Sequence, residues 1–530
     1  MSDMESKLKI RSEKLHYLVA AASIVVVGLL LALPRINDFP AYIHAWAQAD
    51  WYSLAIGFQN NGFDFFHPET LIYNKQFPDW WLVDNGSTIT SVDFPIHVYI
   101  VSLFMKIFGT TSPWVFRVWT LICSFVGMWF LYLLARRLTD STLKSLTVVL
   151  IAMTSPLYAY YFNSFLPSTP AISLVIIGFW AYVRYIQESE TKFWHLAVAM
   201  LGLAALIRTS QAVPLVSVCC FELLRLTKSD DNSFSFKKYL KKIQKHSLSV
   251  IVTFSVIIGY LLWNAHLRAQ NGSLFLSDIM PVRNWQDVRD LSENLKEIWM
   301  FRYFSQLQHW IVLVAIIAGI VFFIIRRKKL HRDSLLWLAM IYLFGTFLFF
   351  LAMLRQYNQH DYYFLDSFFI PILICLILAL RHLPKHERWW SAAVSVVLVV
   401  VGISMFGTAK KGLSYMHYDP DRAKVCAENY TGSDIWLDEI GISHDAKILS
   451  MFSYPQNSPF ILMNRKGYSL MFDDEKTVNS VIKLNYDFMV IEDCVFNEKH
   501  KKMKDIFSHF ERIDGNGKIS IYKKINNKNF

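Results

Sequence analysis

The sequence of 530 residues is poor in charge. Asp, Glu, Lys and Arg make up 18% of it, whereas 54% is hydrophobic and 16% aromatic. Average soluble chains carry roughly a quarter charged residues, so this composition excludes an ordinary soluble protein. Several apolar runs are about 17 to 22 residues long, enough to cross a bilayer core as a helix. The sequence therefore predicts a mainly α, polytopic transmembrane protein.

The little charge that is present has a net value of +11. A positive balance can indicate a nucleic-acid partner. Here, however, the Lys and Arg residues cluster at the ends of apolar runs, as in Arg136 and Arg137 or Lys237 to Lys245. Membrane orientation accounts for that placement, so no nucleic-acid partner is predicted.

Cysteine is also scarce, and six residues do not form a disulfide framework. Four of them lie inside apolar runs and are typical of small core residues. Cys426 and Cys494 lie in the polar tail and can pair if that tail is outside the cytoplasm; the alternative is two unrelated thiols. No CxxC motif occurs. The sequence assigns no cofactor with certainty, and a divalent metal ion stays an open alternative with its ligands unknown.

The basic clusters predict the topology. A basic segment precedes the first apolar run, from about Tyr17 to Leu33, and the poor cleavage site after it favours an uncleaved first span over a signal peptide. Its flank places the N-terminus in the cytoplasm. Assigning the later Lys and Arg clusters to the cytoplasm gives about eleven spans, or up to thirteen, with the first outer loop at 34–113. Further outward segments are 161–168, 207–211, 267–308, 354–362 and 407 onward, so the chemistry is expected on the outer side.

Two regions depart from the pattern of regular spans. The apolar segment from Phe94 to Phe108 would invert the charge bias of everything after it if it crossed, so we expect a helix that dips in or lies along the interface. Residues 1–406 form the predicted transmembrane domain, and 407–530 form a small α/β domain outside the membrane. In that domain 447–452 and 487–493 are predicted strands, 478–485 a helix and 512–524 a hairpin.

The first outer loop is rich in Asp, His, Trp and Phe and short of Lys and Arg. His44, Gln48 and Trp51 or Tyr52 fall at helical spacing and would share a face. Asp50 lies beside that face. A carboxylate there can act as a general base that takes a proton from a hydroxyl; the alternative is a solvated loop acid.

Three more residues of this loop are candidates. Asp64, in FDFFHPET, can hold a metal or orient a substrate hydroxyl, and His67, a second candidate for substrate binding, precedes Pro68 in an extended turn. The alternative for both is a role in shaping the loop. Asp93 precedes Pro95. It is either a second catalytic carboxylate or a cap on the helix that follows.

Later outward segments contribute a cation and a polar aromatic cluster. Arg208 stands between two apolar runs where positive charge is disfavoured, which points to function. A phosphate suits its forked donors; the alternative is a structural pair with a membrane acid. His360, Asp361, Tyr362 and Tyr363 start another span. The tyrosines fit an ordinary aromatic belt, whereas the His–Asp pair suits a phosphate or a metal.

In this order the motifs resemble those of bacterial GT-C-fold glycosyltransferases, the class that includes protein O-mannosyltransferases and the lipid A aminoarabinose transferase. The matching motifs are HAWAQAD (His44 to Asp50), FDFFHP, Asp93–Phe94–Pro95, Arg208 and HDYY (His360 to Tyr363), and the likeness covers roughly residues 15 to 410. It departs from the family pattern at Ser168, where related sequences tend to carry Asp, which weakens any metal site.

The resemblance implies transfer of a sugar from a polyprenyl-phosphate donor to a glycan, lipid or protein hydroxyl at the outer face of the bacterial cytoplasmic membrane. Asp50 would activate the acceptor and Asp93 would supply a second acid, while Arg208 and His360 would hold the leaving lipid phosphate. A single displacement would invert the anomeric configuration. The alternative is a transporter or flippase of lipid-linked sugars, which would need polar residues at mid-span.

Overall fold

The structure is a computed structural model that describes residues 3–75, 86–227, 236–275, 278–296, 300–325, 334–383, 388–499 and 504–525. Most of these residues are helical. Up to residue 416 the helices are α1 Asp3–Ala32, α2 Ala45–Asn60, α3 Ile96–Phe108, α4 Pro113–Thr139, α5 Thr142–Met153, α6 Pro156–Tyr161, α7 Ser168–Glu188, α8 Thr191–Ile207, α9 Ala212–Thr227, α10 Phe236–Asn271, α11 Trp285–Asn294, α12 Met300–Tyr303, α13 Gln306–Ile325, α14 Ser334–Ala352, α15 Leu354–Gln359, α16 Tyr362–Ser367, α17 Phe369–His382 and α18 Arg388–Met416.

The rest of the chain mixes helices and strands. Its helices are α19 Arg422–Tyr430, α20 Ser433–Glu439, α21 Ser458–Met463, α22 Glu475–Val481, α23 Asp493–Lys499 and α24 Lys504–Phe507. Its strands are β1 Ile448–Met451, β2 Gly467–Leu470, β3 Phe488–Glu492, β4 Phe510–Gly515 and β5 Ile519–Lys524. The predicted strands, helix and hairpin of this region are confirmed, although α22 begins three residues before the predicted helix.

Within the described ranges, seven helices are long and apolar enough to cross a membrane, and four apolar helices are shorter. The predicted multi-pass helical membrane protein is confirmed. The apolar runs predict single spans near 144–160 and from about Tyr362, and both predictions are wrong as continuous helices. The run near 144–160 is divided into α5 and α6 because Pro156 starts a new helix, in which the Tyr158 amide donates to the Ser155 hydroxyl. The run after Tyr362 is divided at Phe368 into α16 and α17.

Helix α3 has 13 residues, which reach about 20 Å at 1.5 Å per residue. That is short of the ~30 Å hydrocarbon core of a bilayer. One face of α3 buries Val98, Val101 and Met105, while Ile107 and Phe108 are exposed. These features agree with the predicted helix that dips into the membrane or lies along its surface.

The described residues belong to two compact units. Unit 1 comprises 1–36, 118–260 and 278–415, and unit 2 comprises 37–117, 261–277 and 416–530. In unit 1 small residues let helices approach closely: a Cβ on Gly319 of α13 would lie 2.6 Å from Cα of Ala379 in α17. Small residues at contacts are typical of helices packed in membranes. The predicted boundary near residue 407 stays a prediction.

Unit 2 is built on a five-stranded sheet with the order β2-β1-β3-β5-β4. Strand β1 is parallel to β2 and β3, and β5 is antiparallel to β3 and β4. Alternate residues of the central strands, such as Leu449, Met451 and Met489, are wholly buried in one core. Burial on both faces explains why β1 and β3 are short apolar runs in the sequence.

The first outer loop continues this sheet beyond β2. The amide of Gly467 donates to the Leu71 carbonyl at 3.1 Å, and the amide of Tyr73 donates to the Gly467 carbonyl at 2.9 Å. The Asn74 side chain then pairs with the backbone of Ser469, donating to its carbonyl and accepting from its amide. Residues almost 400 positions apart are thereby held together in unit 2.

Candidate active site

Asp50 lies on α2 and is 2% exposed. The Nδ2 group of Asn457 donates to Oδ1 of Asp50 at 2.7 Å. Asn457 is the cap residue of α21, a place where Asn usually accepts a hydrogen bond from the backbone of its own helix. No such bond is formed by the described Asn457 side chain, which contacts Asp50 instead. Asn457 therefore donates its hydrogen bond to the Asp50 carboxylate and does not cap its own helix with its side chain.

Burial governs the electrostatics of Asp50. It raises the pKa of the carboxyl to about 8, against the lowering effects of the Asn457 hydrogen bond, of the nearby polar groups of Gln456 and Trp46, and of the charge of Lys75. An ordinary Asp, with a pKa of 3.8, is a weak base at neutral pH. A carboxylate with a pKa near 8 is matched to proton transfer in the neutral range.

Lys75 is the positive partner that sequence reasoning missed. It is 1% exposed, and burial lowers the pKa of its ammonium to about 7, although Glu69 and Asp50 act in the opposite direction. Its Nζ donates to the carbonyls of Ile72 and Thr88 at 3.1 and 3.2 Å. Lys75 is consequently held by backbone carbonyls in the buried region whose charges influence Asp50.

Sequence reasoning also missed Gln456, Asn457 and Ser458, which are wholly buried. Both amide atoms of Gln456, Oδ1 of Asn457 and Oγ of Ser458 have no hydrogen-bond partner among the described residues. Gln456 lies close enough to Asp50 to lower its pKa, yet its geometry falls short of a full hydrogen bond. One signal in the sequence could have indicated these residues. Two amides lie between two prolines soon after a buried parallel strand, and functional groups gather at the carboxyl ends of such strands.

The other predicted residues of the helix start are His44 and Gln48. His44 is the cap residue of α2, with a left-handed φ of 52°. Gln48 is buried, and its Nε2 donates to the Ile43 carbonyl at 3.0 Å. This contact holds the entry of the chain into α2, so Gln48 orients the helix that carries Asp50.

Asp64 and His67 contact each other, with Oδ2 of Asp64 2.8 Å from Nδ1 of His67. Both side chains are more than 40% exposed. The Asn61 amide donates to the carbonyls of both residues, which closes the turn. The geometry favours the loop-shaping alternative for this pair.

Asp93 is half-buried at the start of the segment that leads into α3. The cap residue of α3 is Pro95, which itself makes no side-chain cap hydrogen bond. Both alternatives for Asp93, a second acid and a helix cap, stay predictions.

Unit 1 brings three predicted residues, His360, Tyr362 and Tyr363, next to Arg208. Nε of Arg208 lies 2.6 Å from Oδ2 of Asp366, an acid that sequence reasoning did not assign. The guanidinium also lies over the rings of Tyr362 and Tyr363, at 5.1 and 5.3 Å from their centroids. The His360 ring is next to the same two tyrosines. The result is a cation in an aromatic surround beside a buried acid.

Asp361 has a different environment. It is buried, and the Tyr161 hydroxyl donates to its Oδ1 at 2.7 Å. Nη1 of Arg302 lies 3.7 Å from the other oxygen. Asp361 is therefore compensated by a phenol and a guanidinium, neither of which was predicted.

The sequence leaves a metal site and a Cys426–Cys494 disulfide open. No group of three or more His, Cys, Asp or Glu side chains there is arranged to hold a metal ion. Cys426 and Cys494 are both free thiols, one buried and one exposed, so the structure agrees with the alternative of two unrelated thiols.

Comparison with known proteins agrees with this architecture. Residues 93–263 match the model of the family described as dolichyl-phosphate-mannose-protein mannosyltransferase. No curated protein sequence matches the chain significantly. Among solved structures, the oligosaccharyltransferase of Archaeoglobus fulgidus, in a complex with Zn and sulfate, has a TM-score of 0.53 at 12% identity and covers 96% of this chain and 73% of its own.

Two further structures are similar. The archaeal oligosaccharyltransferase AglB from Archaeoglobus fulgidus, in complex with an inhibitory peptide and a dolichol-phosphate, has a TM-score of 0.50 at 12% identity, with 98% of this chain and 75% of that chain covered. The arabinofuranosyltransferase AftD from Mycobacteria has a TM-score of 0.54 at 11% identity, with 96% and 41% covered.

At these identities the likeness shows the fold, which is that of the GT-C membrane glycosyltransferases. The resemblance predicted from the sequence motifs is thereby confirmed. The family match indicates, at the general level, a glycosyltransferase.

Proposed function

We propose that the protein transfers a sugar from a polyprenyl-phosphate donor to a hydroxyl acceptor at the outer face of the bacterial cytoplasmic membrane. The observation that carries the proposal is Asp50, a wholly buried carboxyl that is held by Asn457 and has a pKa raised to about 8 by its burial. The family match and the dolichol-phosphate bound to AglB support the donor class.

Asp50 acts as the general base in this proposal. It takes the proton of the acceptor hydroxyl as that oxygen forms a bond to the anomeric carbon. The bond from the anomeric carbon to the lipid phosphate oxygen breaks in the same step, and the electron pair leaves with the phosphate. One displacement inverts the anomeric configuration. Asp93 is kept as a second acid on the strength of its place in the motif order.

The cluster around Arg208 is assigned to the lipid phosphate. A guanidinium provides several N–H donors that suit phosphate oxygens. Asp366 binds the Nε edge of Arg208 at 2.6 Å, which fixes the orientation of the planar group. His360, Tyr362 and Tyr363 border the same cation and would contact the phosphate or the sugar.

Every step of this proposal is assigned to side chains of the chain itself. A divalent cation can be tested directly, since transfer can be assayed with added Mg²⁺, Mn²⁺ or Zn²⁺ and after treatment with a chelator. The donor can carry a hexose or a pentose, and both types belong in the assay.

The test is transfer from a labelled polyprenyl-phosphate sugar by the purified protein, with free lipid phosphate and glycosylated acceptor as the two products. Asp50→Asn should lose transfer by a factor of about 100 or more, because a positioned general base contributes roughly 10²–10⁴. Asp445→Asn is a matched control, since Asp445 is exposed on the same unit. Normal turnover by the Asp50 variant would remove the base assignment, and movement of lipid without bond cleavage would favour a flippase.

A further inference from the structure

The segment after β1 carries more buried polar capacity than unit 2 uses. Gln456, Asn457 and Ser458 are each 0% exposed. Two amide atoms, one amide oxygen and one hydroxyl among them lack a hydrogen-bond partner in the described part of the chain. A buried polar group left without a partner destabilises the fold, so a fold rarely keeps several together unless a ligand satisfies them.

The placement of these groups relates them to Asp50. Asn457 donates to the carboxylate at 2.7 Å, and Gln456 precedes it in the chain and influences the same carboxyl. Any hydroxyl that gives its proton to Asp50 would therefore bring its neighbouring atoms to these amides. The segment belongs to the same compact unit as Asp50.

The chemistry of the three side chains suits a polyhydroxylated ligand. All three are neutral, and amides and hydroxyls offer donors and acceptors together. A sugar hydroxyl is likewise a donor and an acceptor, and two vicinal hydroxyls can pair with both ends of one amide. A phosphate or carboxylate would instead call for cationic donors.

We propose that Gln456, Asn457 and Ser458 form the acceptor subsite and that the acceptor is a sugar with a hydroxyl next to the one that reacts. This inference rests on the proposed role of Asp50 as the base. Gln456 is a specificity residue that binds the neighbouring hydroxyl, whereas Asn457 positions the carboxylate.

The test uses methyl hexopyranosides as acceptor probes, each compared with its mono-deoxy analogues, and a Ser-containing peptide as the competing class. Gln456→Ala should raise the acceptor KM by about tenfold or more, because a site built to bind a hydroxyl discriminates strongly when one partner is lost. The donor KM should change by less than about twofold. Removing the vicinal hydroxyl from the sugar should raise the acceptor KM of the wild type by the same factor. It should leave the acceptor KM of the Gln456→Ala variant almost unchanged, because the effects of removing two groups that contact each other are not additive.

Controls separate this inference from misfolding and from the proposed function. Gln456→Asn keeps the amide and shortens its reach, and Asn497→Ala changes an exposed amide of the same unit; thermal unfolding of each variant checks the fold. Three outcomes would overturn the acceptor assignment. They are independent effects of removing the Gln456 side chain and the vicinal hydroxyl, transfer to the peptide alone, and no transfer to any sugar. Asp50→Asn is assayed in parallel. If this variant loses turnover while Gln456→Ala has wild-type kinetics, the role of Asp50 as the base is kept and only the acceptor subsite is refuted. If Asp50→Asn turns over normally, both proposals are refuted.

Discussion

The rate of transfer should rise with pH through about pH 8, and the rise should move to higher pH when Asn457 is replaced by Ala. Burial raises the pKa of Asp50 from 3.8 to about 8, so the carboxylate that can accept a proton is a minor form at neutral pH. Its fraction is about one tenth at pH 7 and about one hundredth at pH 6 for this pKa. The kcat/KM for the acceptor should follow these fractions, because it reports ionisations of the free enzyme.

The variant gives the sign of the effect. The hydrogen bond that Asn457 donates to Asp50 at 2.7 Å stabilises the ionised form and lowers the pKa. A hydrogen bond to a charged group contributes about 1.5–3 kcal/mol, and one pH unit corresponds to about 1.4 kcal/mol. Asn457→Ala should therefore move the rise upward by roughly one pH unit or more.

The assay is initial-rate transfer from a labelled donor between pH 6 and 9.5, at constant ionic strength. Asn497→Ala, an exposed amide on the same unit, should leave the profile unchanged. Only the displacement of the midpoint between the wild type and the variant is assigned to Asn457. A flat profile from pH 6 to 9, or a midpoint that moves to lower pH in the Asn457 variant, would refute the reasoning.

Three other perturbations have expected outcomes. Asp50→Asn should melt at a higher temperature than the wild type, and the difference in Tm should grow from pH 5 to pH 8 and then level off. The reason is that the Asp50 carboxyl stays protonated in the folded protein at pH values where it ionises in the unfolded chain. A difference in Tm that does not depend on pH would contradict this. Arg208→Lys keeps the charge but removes the Nε contact with Asp366, so transfer should fall by about tenfold or more at subsaturating donor, and an unchanged donor KM would contradict it. Gly57→Ala should destabilise the protein by about 1–3 kcal/mol in denaturant melts, since its Cβ would lie 1.9 Å from the Glu69 carbonyl oxygen.

The parts of the fold that the sequence predicts are those with local causes. β1 and β3 are short apolar runs bounded by polar residues, and the Gly-containing turn between β4 and β5 indicates a hairpin. Strand β2 escaped prediction because GYSL is short and contains a serine that is buried only by its neighbours. Pro156 indicates a helix break before α6, but the apolar residues on both sides of it favour one continuous span.

The contacts within each cluster could not be predicted from the sequence, because hydrophobic periodicity contains no information on which distant residues meet. Asp50 meets Asn457 at a separation of 407 residues, and Arg208 meets Asp366 at 158. The motif order could single out Asp50 and Arg208, since each is a charge in an unusual position. It could not indicate Asn457, an amide whose role arises only when the start of α21 lies beside α2.

The buried polar groups of unit 2 are most simply explained as one arrangement with one function. A carboxyl kept at a raised pKa lowers stability as pH rises, and amide groups without partners lower it further. Burial of Asp50 and the surplus donors and acceptors of Gln456 and Ser458 thus act against folding in the same place. Such local costs persist where ligand binding or catalysis depends on them. A base that needs a high pKa and an acceptor that needs neutral hydrogen-bonding groups would both require this water-poor environment, so the features that weaken unit 2 are those that the proposed transfer uses.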